Sequence, residues 1–219
     1  MEYILFNDAA RIKGVNLPKS KVGFKKMCKL CNAAETLFDK KGFYTTSIAD
    51  ICSHAKTAIG TFYIYFQDKT AIYVYLVQNY YVVIKKHLNS SIANCSGRYE
   101  MEREGLKAFI RFGYAHPQCY KIIWGSSHID PELFEDYYFR FADSYIAALK
   151  AYGEELADID YSTTAWFLMG VANFICLKVI IDKKPLSGKK LDSLVDETMK
   201  LLSSGMFKNP GPVKGKQNK

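Results

Sequence analysis

Cys28-Lys-Leu-Cys31 is a CxxC pair, the spacing at which two thiols share a metal ion or a redox bond. No second CxxC and no matching histidine pair follows it, and the pair sits inside a helical pattern rather than on a knuckle. The six cysteines (Cys28, Cys31, Cys52, Cys95, Cys119 and Cys176) form no framework, and they read as ordinary, partly buried thiols. His116 and His128 are imaginable as metal ligands, but no third partner stands at a telling spacing, so no metal site and no cofactor is expected. There is no glycine-rich phosphate loop, no nucleophile elbow and no HExxH motif. The adjacent acids Glu135-Asp136 and Glu154-Glu155 read as solvated helix faces. An enzyme is therefore not the expected class.

Charge points elsewhere. Residues 1–69 carry 11 Lys/Arg against 6 Asp/Glu, and the last twelve residues, 208–219, add four lysines and no acid. The stretch between is nearly neutral. A basic N-terminal third suits a polyanion, most simply nucleic acid, although solubilising charge gives the same count. Asp8 and Arg11 interrupt the place where a signal peptide needs an apolar core, and no run of about 18 apolar residues is free of charge. A cytoplasmic protein without a membrane span is expected.

The elements that must hold such a surface read as helix after helix, so the fold class is all-α. Met27, Leu30, Cys31, Ala34, Leu37 and Phe38 recur at helical steps over 21–41, with Gly42 placed to end that helix. Ser47 and Asp50 have capping-box spacing and start a short helix with Ile48, Ile51, Cys52 and Ala55 inward. Then comes Thr57-Ala-Ile-Gly-Thr-Phe-Tyr-Ile-Tyr-Phe66, whose centre is β-branched and aromatic and by propensity alone would be a strand. At a period of 3.6, Ile59, Phe62 and Phe66 share one side, while Thr57, Ala58, Gly60, Thr61 and Ile64 stay free. Asp68 caps a long helix over 69–88, and 89–98 reads as a loop. Further helices are expected at 100–115, 118–127, 132–153, 161–182 and 188–206, about nine in all. The helix over 161–182 is apolar nearly all round and needs burial on most sides.

Two short helices joined by a tight turn, the second with small and polar residues outward, make a helix-turn-helix whose second helix fits a DNA major groove. The run Ala33-Ala34, Leu37-Phe38, Gly42-Phe43, Thr45-Thr46-Ser47-Ile48, Asp50-Ile51, Ala55, Gly60-Thr61-Phe62-Tyr63, Tyr65-Phe66 and Lys69 resembles the N-terminal domain of the TetR family of transcriptional regulators. It covers about 45 residues. The resemblance implies phosphate contacts from Thr46, Tyr63 and Lys69, with Ser47 beside Thr46 at the helix start. It implies a groove-facing stretch of Thr57, Ala58, Ile59, Gly60 and Thr61, with Ile64 at its edge. Lys56 stands where the family has glycine, which predicts either a strained turn or an added phosphate contact.

The resemblance further implies a DNA-binding domain over 21–68 and a ligand-binding and dimerisation domain over 69–207; a flexible N-terminal arm is expected over 1–20, and composition makes 208–219 a disordered basic tail. It implies a homodimer through 161–182 and 188–206. The partners would be double-stranded DNA with a palindromic operator and a small-molecule effector, with release of a repressor as the response. Phe109, Phe112, Tyr120, Trp124, Tyr137, Phe141, Trp166 and Met169, with His116 and Asn173 as polar groups, are rich enough to line an apolar pocket. Any helical bundle also needs core aromatics. Thiol redox through Cys28 and Cys31, a metal, a protein partner, or activation in place of repression stand as alternatives.

Overall fold

The computed structural model describes Tyr3 and residues 12–206; the basic tail expected over 208–219 lies outside the described residues. Among the described residues nine α-helices follow one another: α1 (Lys21–Lys41), α2 (Ile48–Ala55), α3 (Ile59–Tyr65), α4 (Lys69–Ile92), α5 (Arg98–Ala115), α6 (Pro117–Ile129), α7 (Pro131–Ala151), α8 (Tyr161–Asp182) and α9 (Gly188–Ser204). No strand occurs among the described residues, so the all-α reading holds.

Local chemistry sets most boundaries. Side chains of Ser20, Ser47, Asp68, Asp130, Asp160 and Ser187 each accept a hydrogen bond from a first-turn amide of the helix they precede, which satisfies donors the helix leaves orphaned. The Ser47–Asp50 capping box is present in both directions, at 3.0 Å each. Helix α4 runs to Ile92, beyond the boundary expected at 88. The reason is local: the Ser90 and Ser91 hydroxyls donate back to the carbonyls of Lys86 and His87 at 2.9 Å each, so these turn-prone residues are absorbed into the last turns.

The strand-like run is helical through Tyr65, and then Phe66 leaves the helix in extended geometry. There it forms an antiparallel bridge with Val15, flanked by the Asn16 amide on the Tyr65 carbonyl and the Gln67 amide on the Gly14 carbonyl, both at 2.8 Å. Burial decides the rest, because Phe62 and Phe66 are fully enclosed and tertiary packing outweighs strand propensity. Residues 12–20 of the expected flexible arm are thus tied by backbone bonds to the end of α3, with Val15 buried.

One core runs from α1–α3 through the first half of α4 into α6 and α7, and a second joins α5, α8 and α9 around Ile110, Cys176 and Val195. Helix α4 therefore belongs to both the head and the bundle. Helix α8 is long and apolar enough to cross a membrane by length and composition, yet it packs here against α5 and α7, with 22% of its apolar window buried. Phe167, Phe174 and Ile181, at seven-residue steps, form an exposed stripe along it. The expectation of burial on most sides is not met within one chain.

Candidate functional site

At the head, α2 ends on Lys56 in the left-handed region (φ 54°, ψ 49°), its amide held by the Cys52 and Ser53 carbonyls. The distortion foreseen from a non-glycine residue is absorbed as strain rather than as a different turn. Helix α3 then presents Ala58, Ile59, Gly60, Tyr63 and Ile64 to solvent, with Ser47 and Lys56 exposed beside them and Thr61 half-buried. Nothing lies within 4 Å of a Cβ built on Gly60, so this surface has room for close approach of another molecule. Ile59, expected as an inward anchor as well as a groove residue, is 51% exposed. The anchors are Phe62, Tyr65 and Phe66, because the seven-residue helix turns only that side toward α1 and α2.

Three expected contacts are turned inward. Thr46 is 1% exposed, and its hydroxyl donates to the Gly42 carbonyl at 2.8 Å. The Thr57 hydroxyl oxygen is buried and faces the Cys52 thiol. Lys69 Nζ donates to the carbonyls of Phe43 and Thr46 at 2.7 Å each and stands 4.4 Å above the Phe43 ring. Burial holds the Lys69 ammonium below its ordinary pKa. Thr46 and Lys69 share a reason: the link between α1 and α2 exposes carbonyls that no helix bond satisfies, and these two side chains supply the donors.

Behind the head, α4–α9 enclose a cavity of about 210 Å³. Of the pocket residues expected from sequence, Phe109, Phe112, Tyr120, Trp124, Tyr137, Phe141, Met169 and Asn173 line it. His116 does not, being packed against the Phe112 ring at the α5–α6 junction. Trp166 does not either; it lies in a shallow outer groove, edge-on to Phe139 at 5.7 Å. The polar end of the cavity, formed by Lys85, Arg98, Glu102, Ser144 and Tyr145, was not foreseen. Aromatic clustering in the sequence marks the apolar wall, whereas these residues look like ordinary exposed helix positions until α4, α5 and α7 bring them together.

Helix α6 joins the two regions. Toward the head, Lys121 pairs with Asp39 at 2.7 Å and Gln118 donates to the buried carboxylate of Glu35 at 2.9 Å. The Tyr44 hydroxyl donates to the His128 carbonyl at 3.0 Å. On its other side α6 lends Cys119, Tyr120, Ile123 and Trp124 to the cavity. Cys28 and Cys31 lie in or at the core of α1, where burial pushes both thiols up and away from the reactive thiolate.

A helix-turn-helix head carried on a helical bundle is the architecture of a DNA-binding regulator. Residues 30–76 match the sequence model of the bacterial regulatory proteins of the tetR family. That match assigns the head, the helix-turn-helix and the start of α4, to the tetR family of DNA-binding domains. The chain is 33% identical over 97 residues to an uncharacterized HTH-type transcriptional regulator in the lacX 3′ region of Lactococcus lactis subsp. lactis. That match covers 44% of this chain and 48% of the relative, about half the length of the curated protein. Among solved structures it resembles the fatty acid degradation regulator FadR from Bacillus halodurans (TM-score 0.72, 15% identity, 85% of this chain and 96% of that one). It also resembles the transcriptional regulator FadR from Bacillus subtilis in complex with stearoyl-CoA (TM-score 0.67, 13% identity, 82% and 99%). At those identities the likeness speaks for the fold.

Proposed function

We propose that the protein is a cytoplasmic, homodimeric repressor that binds a palindromic operator through the exposed face of α3 and is released when a small, largely apolar molecule fills the cavity. The observation that carries this reading is the position of α6, which supplies cavity wall on one side and is bonded to α1 and the α1–α2 link on the other. A ligand that shifts α6 moves the head with it, and its differential affinity for the two arrangements sets how far DNA binding falls.

The stripe of Phe167, Phe174 and Ile181 on α8, with Leu201 on α9, supports dimerisation through these helices, because large apolar groups aligned on one exposed face gain most from a second copy. Two reading helices then meet successive major grooves about 34–36 Å apart. That one protein of this fold is held with stearoyl-CoA supports an apolar occupant here.

Selection of bound sequences from a random duplex pool, with the stoichiometry of the complex measured alongside, tests the proposal. A palindrome bound by a protein dimer is the expected outcome. Weak, salt-sensitive binding without enrichment, or a monomer on DNA, would overturn it.

A further inference from the structure

We propose that the polar end of the cavity holds the carboxylate of an otherwise apolar acid, with Lys85 as its anchoring cation. This rests on the reading of the cavity as the effector site and adds the chemical class of the effector.

Three charged side chains line the cavity: Lys85, Arg98 and Glu102. Two of them satisfy each other. Arg98 Nε donates to Glu102 Oε1 at 2.9 Å and its Nη2 contacts the same oxygen. The second oxygen, Oε2, accepts from the Tyr145 hydroxyl, whose ring also stacks beneath the Arg98 guanidinium at 5.2 Å. Neither charge in that pair is left to seek a ligand.

Lys85 is different. Its Nζ donates to two neutral hydroxyls, Ser144 Oγ at 2.8 Å and Tyr81 OH at 3.3 Å, and no carboxylate is paired with it among the described residues. An ammonium carries three N–H donors, so one remains. The cavity thus has one uncompensated positive charge on a half-buried side chain, in a wall that is otherwise mostly apolar. Charges held away from water are stable when paired. The missing partner is an anion.

The number and kind of donors select which anion. One free N–H of a lysine, with Ser144 able to turn its own hydroxyl proton toward the same point, suits a single planar carboxylate. A phosphate ester, with more charge and more acceptor oxygens, would want a second unpaired cation, and the charge of Arg98 is already matched by Glu102. From this end Leu88, Ile92, Met101, Phe109 and Phe141 continue the wall, and of the polar groups farther along the lining the Tyr120 hydroxyl and the Asn173 amide are already bonded to the Asn173 and Met169 carbonyls. The occupant is an apolar chain or ring system with one acid group.

The test uses the full-length protein and four probes at each of three chain lengths (octanoyl, dodecanoyl and palmitoyl): the free acid, its methyl ester, the primary alcohol and the coenzyme A thioester. Binding is read by calorimetry and by the fluorescence of Trp124, which lines the cavity. The expected result is an acid bound at least about tenfold more tightly than its ester or alcohol, the worth of one charge-assisted hydrogen bond. Lys85→Met abolishes that preference while leaving ester affinity unchanged, and Lys85→Gln serves if the first variant is unstable. Equal binding of acid and ester by the wild type, tighter binding of the thioester, or a preference that survives loss of Lys85 overturns the carboxylate assignment and leaves the effector cavity standing. Binding of none of the probes sinks both readings together.

Discussion

Lys69 Nζ donates to the main-chain carbonyl of Phe43 at 2.7 Å while standing over the ring of the same residue at 4.4 Å. The first residue of α4 is thereby fastened to the link between α1 and α2, with the Thr46 carbonyl as a second acceptor. A lysine that the family resemblance assigns to phosphate here holds the head on the bundle.

Replacing Lys69 by methionine keeps most of the stem and removes both bonds. Stability should fall by about 1–2 kcal/mol, the range for bonds made by a charged, partly exposed donor, and Tm by several degrees. The slope of log affinity against log salt should stay as in the wild type. A slope shallower by about one unit at unchanged Tm would mean that Nζ leaves the carbonyls for a phosphate on binding.

Lys56 sits at φ 54°, where a side chain costs on the order of 1–2 kcal/mol. Glycine relieves that strain but loosens the unfolded chain by up to about 1 kcal/mol, so Lys56→Gly should stabilise by less than about 1 kcal/mol in thermal unfolding. The exposed ammonium goes with it. If it meets a phosphate, the salt slope drops by about 0.9; Lys56→Ala should show the same slope without the gain in Tm.

Gly60 separates folding from function. An added methyl meets nothing within 4 Å and helix propensity favours alanine by about 1 kcal/mol, so Gly60→Ala should raise Tm slightly. If the α3 face enters the groove, the same methyl weakens binding to the selected operator on the order of tenfold, equivalent to about 1.4 kcal/mol. Undiminished affinity in a gel-shift titration would move the reading surface off α3.

Gly113 is needed for a different reason. A Cβ there would lie 2.2 Å from Cys176 Sγ and 3.4 Å from the Tyr120 ring, at the crossing of α5 and α8. Overpacking of about 1–3 kcal/mol outweighs the roughly 1 kcal/mol gained in propensity. Gly113→Ala should therefore destabilise by about 1–2 kcal/mol, and adding Cys176→Ala should recover most of it. Strict additivity of the two changes, measured by denaturant unfolding, would show that the helices part instead of clashing.

Much of this protein is written locally. Helical periodicity, Ser47 with Asp50, Asp68, Asp130-Pro131 and Gly42 mark the helices, because caps and breakers act over three or four residues and need no partner elsewhere. The order of small, aromatic and hydroxyl residues from Ala33 to Lys69 carries the head in the same way. The direction of individual side chains was not legible there. Thr46, Thr57 and Lys69 have the right types for DNA, yet each is turned inward: Thr46 to the Gly42 carbonyl, Thr57 toward the Cys52 thiol and Lys69 to the carbonyls of Phe43 and Thr46. Ile59 has the right type for a core and faces solvent, because α1 and α2 meet the opposite side of α3. The cavity's charged end is the clearest case. Lys85, Arg98, Glu102 and Ser144 come from three helices, and only their packing makes Arg98 and Glu102 a closed pair and leaves Lys85 without one. Hydrogen-bond satisfaction is a property of what surrounds a group, and in a bundle those surroundings come from residues distant in the chain.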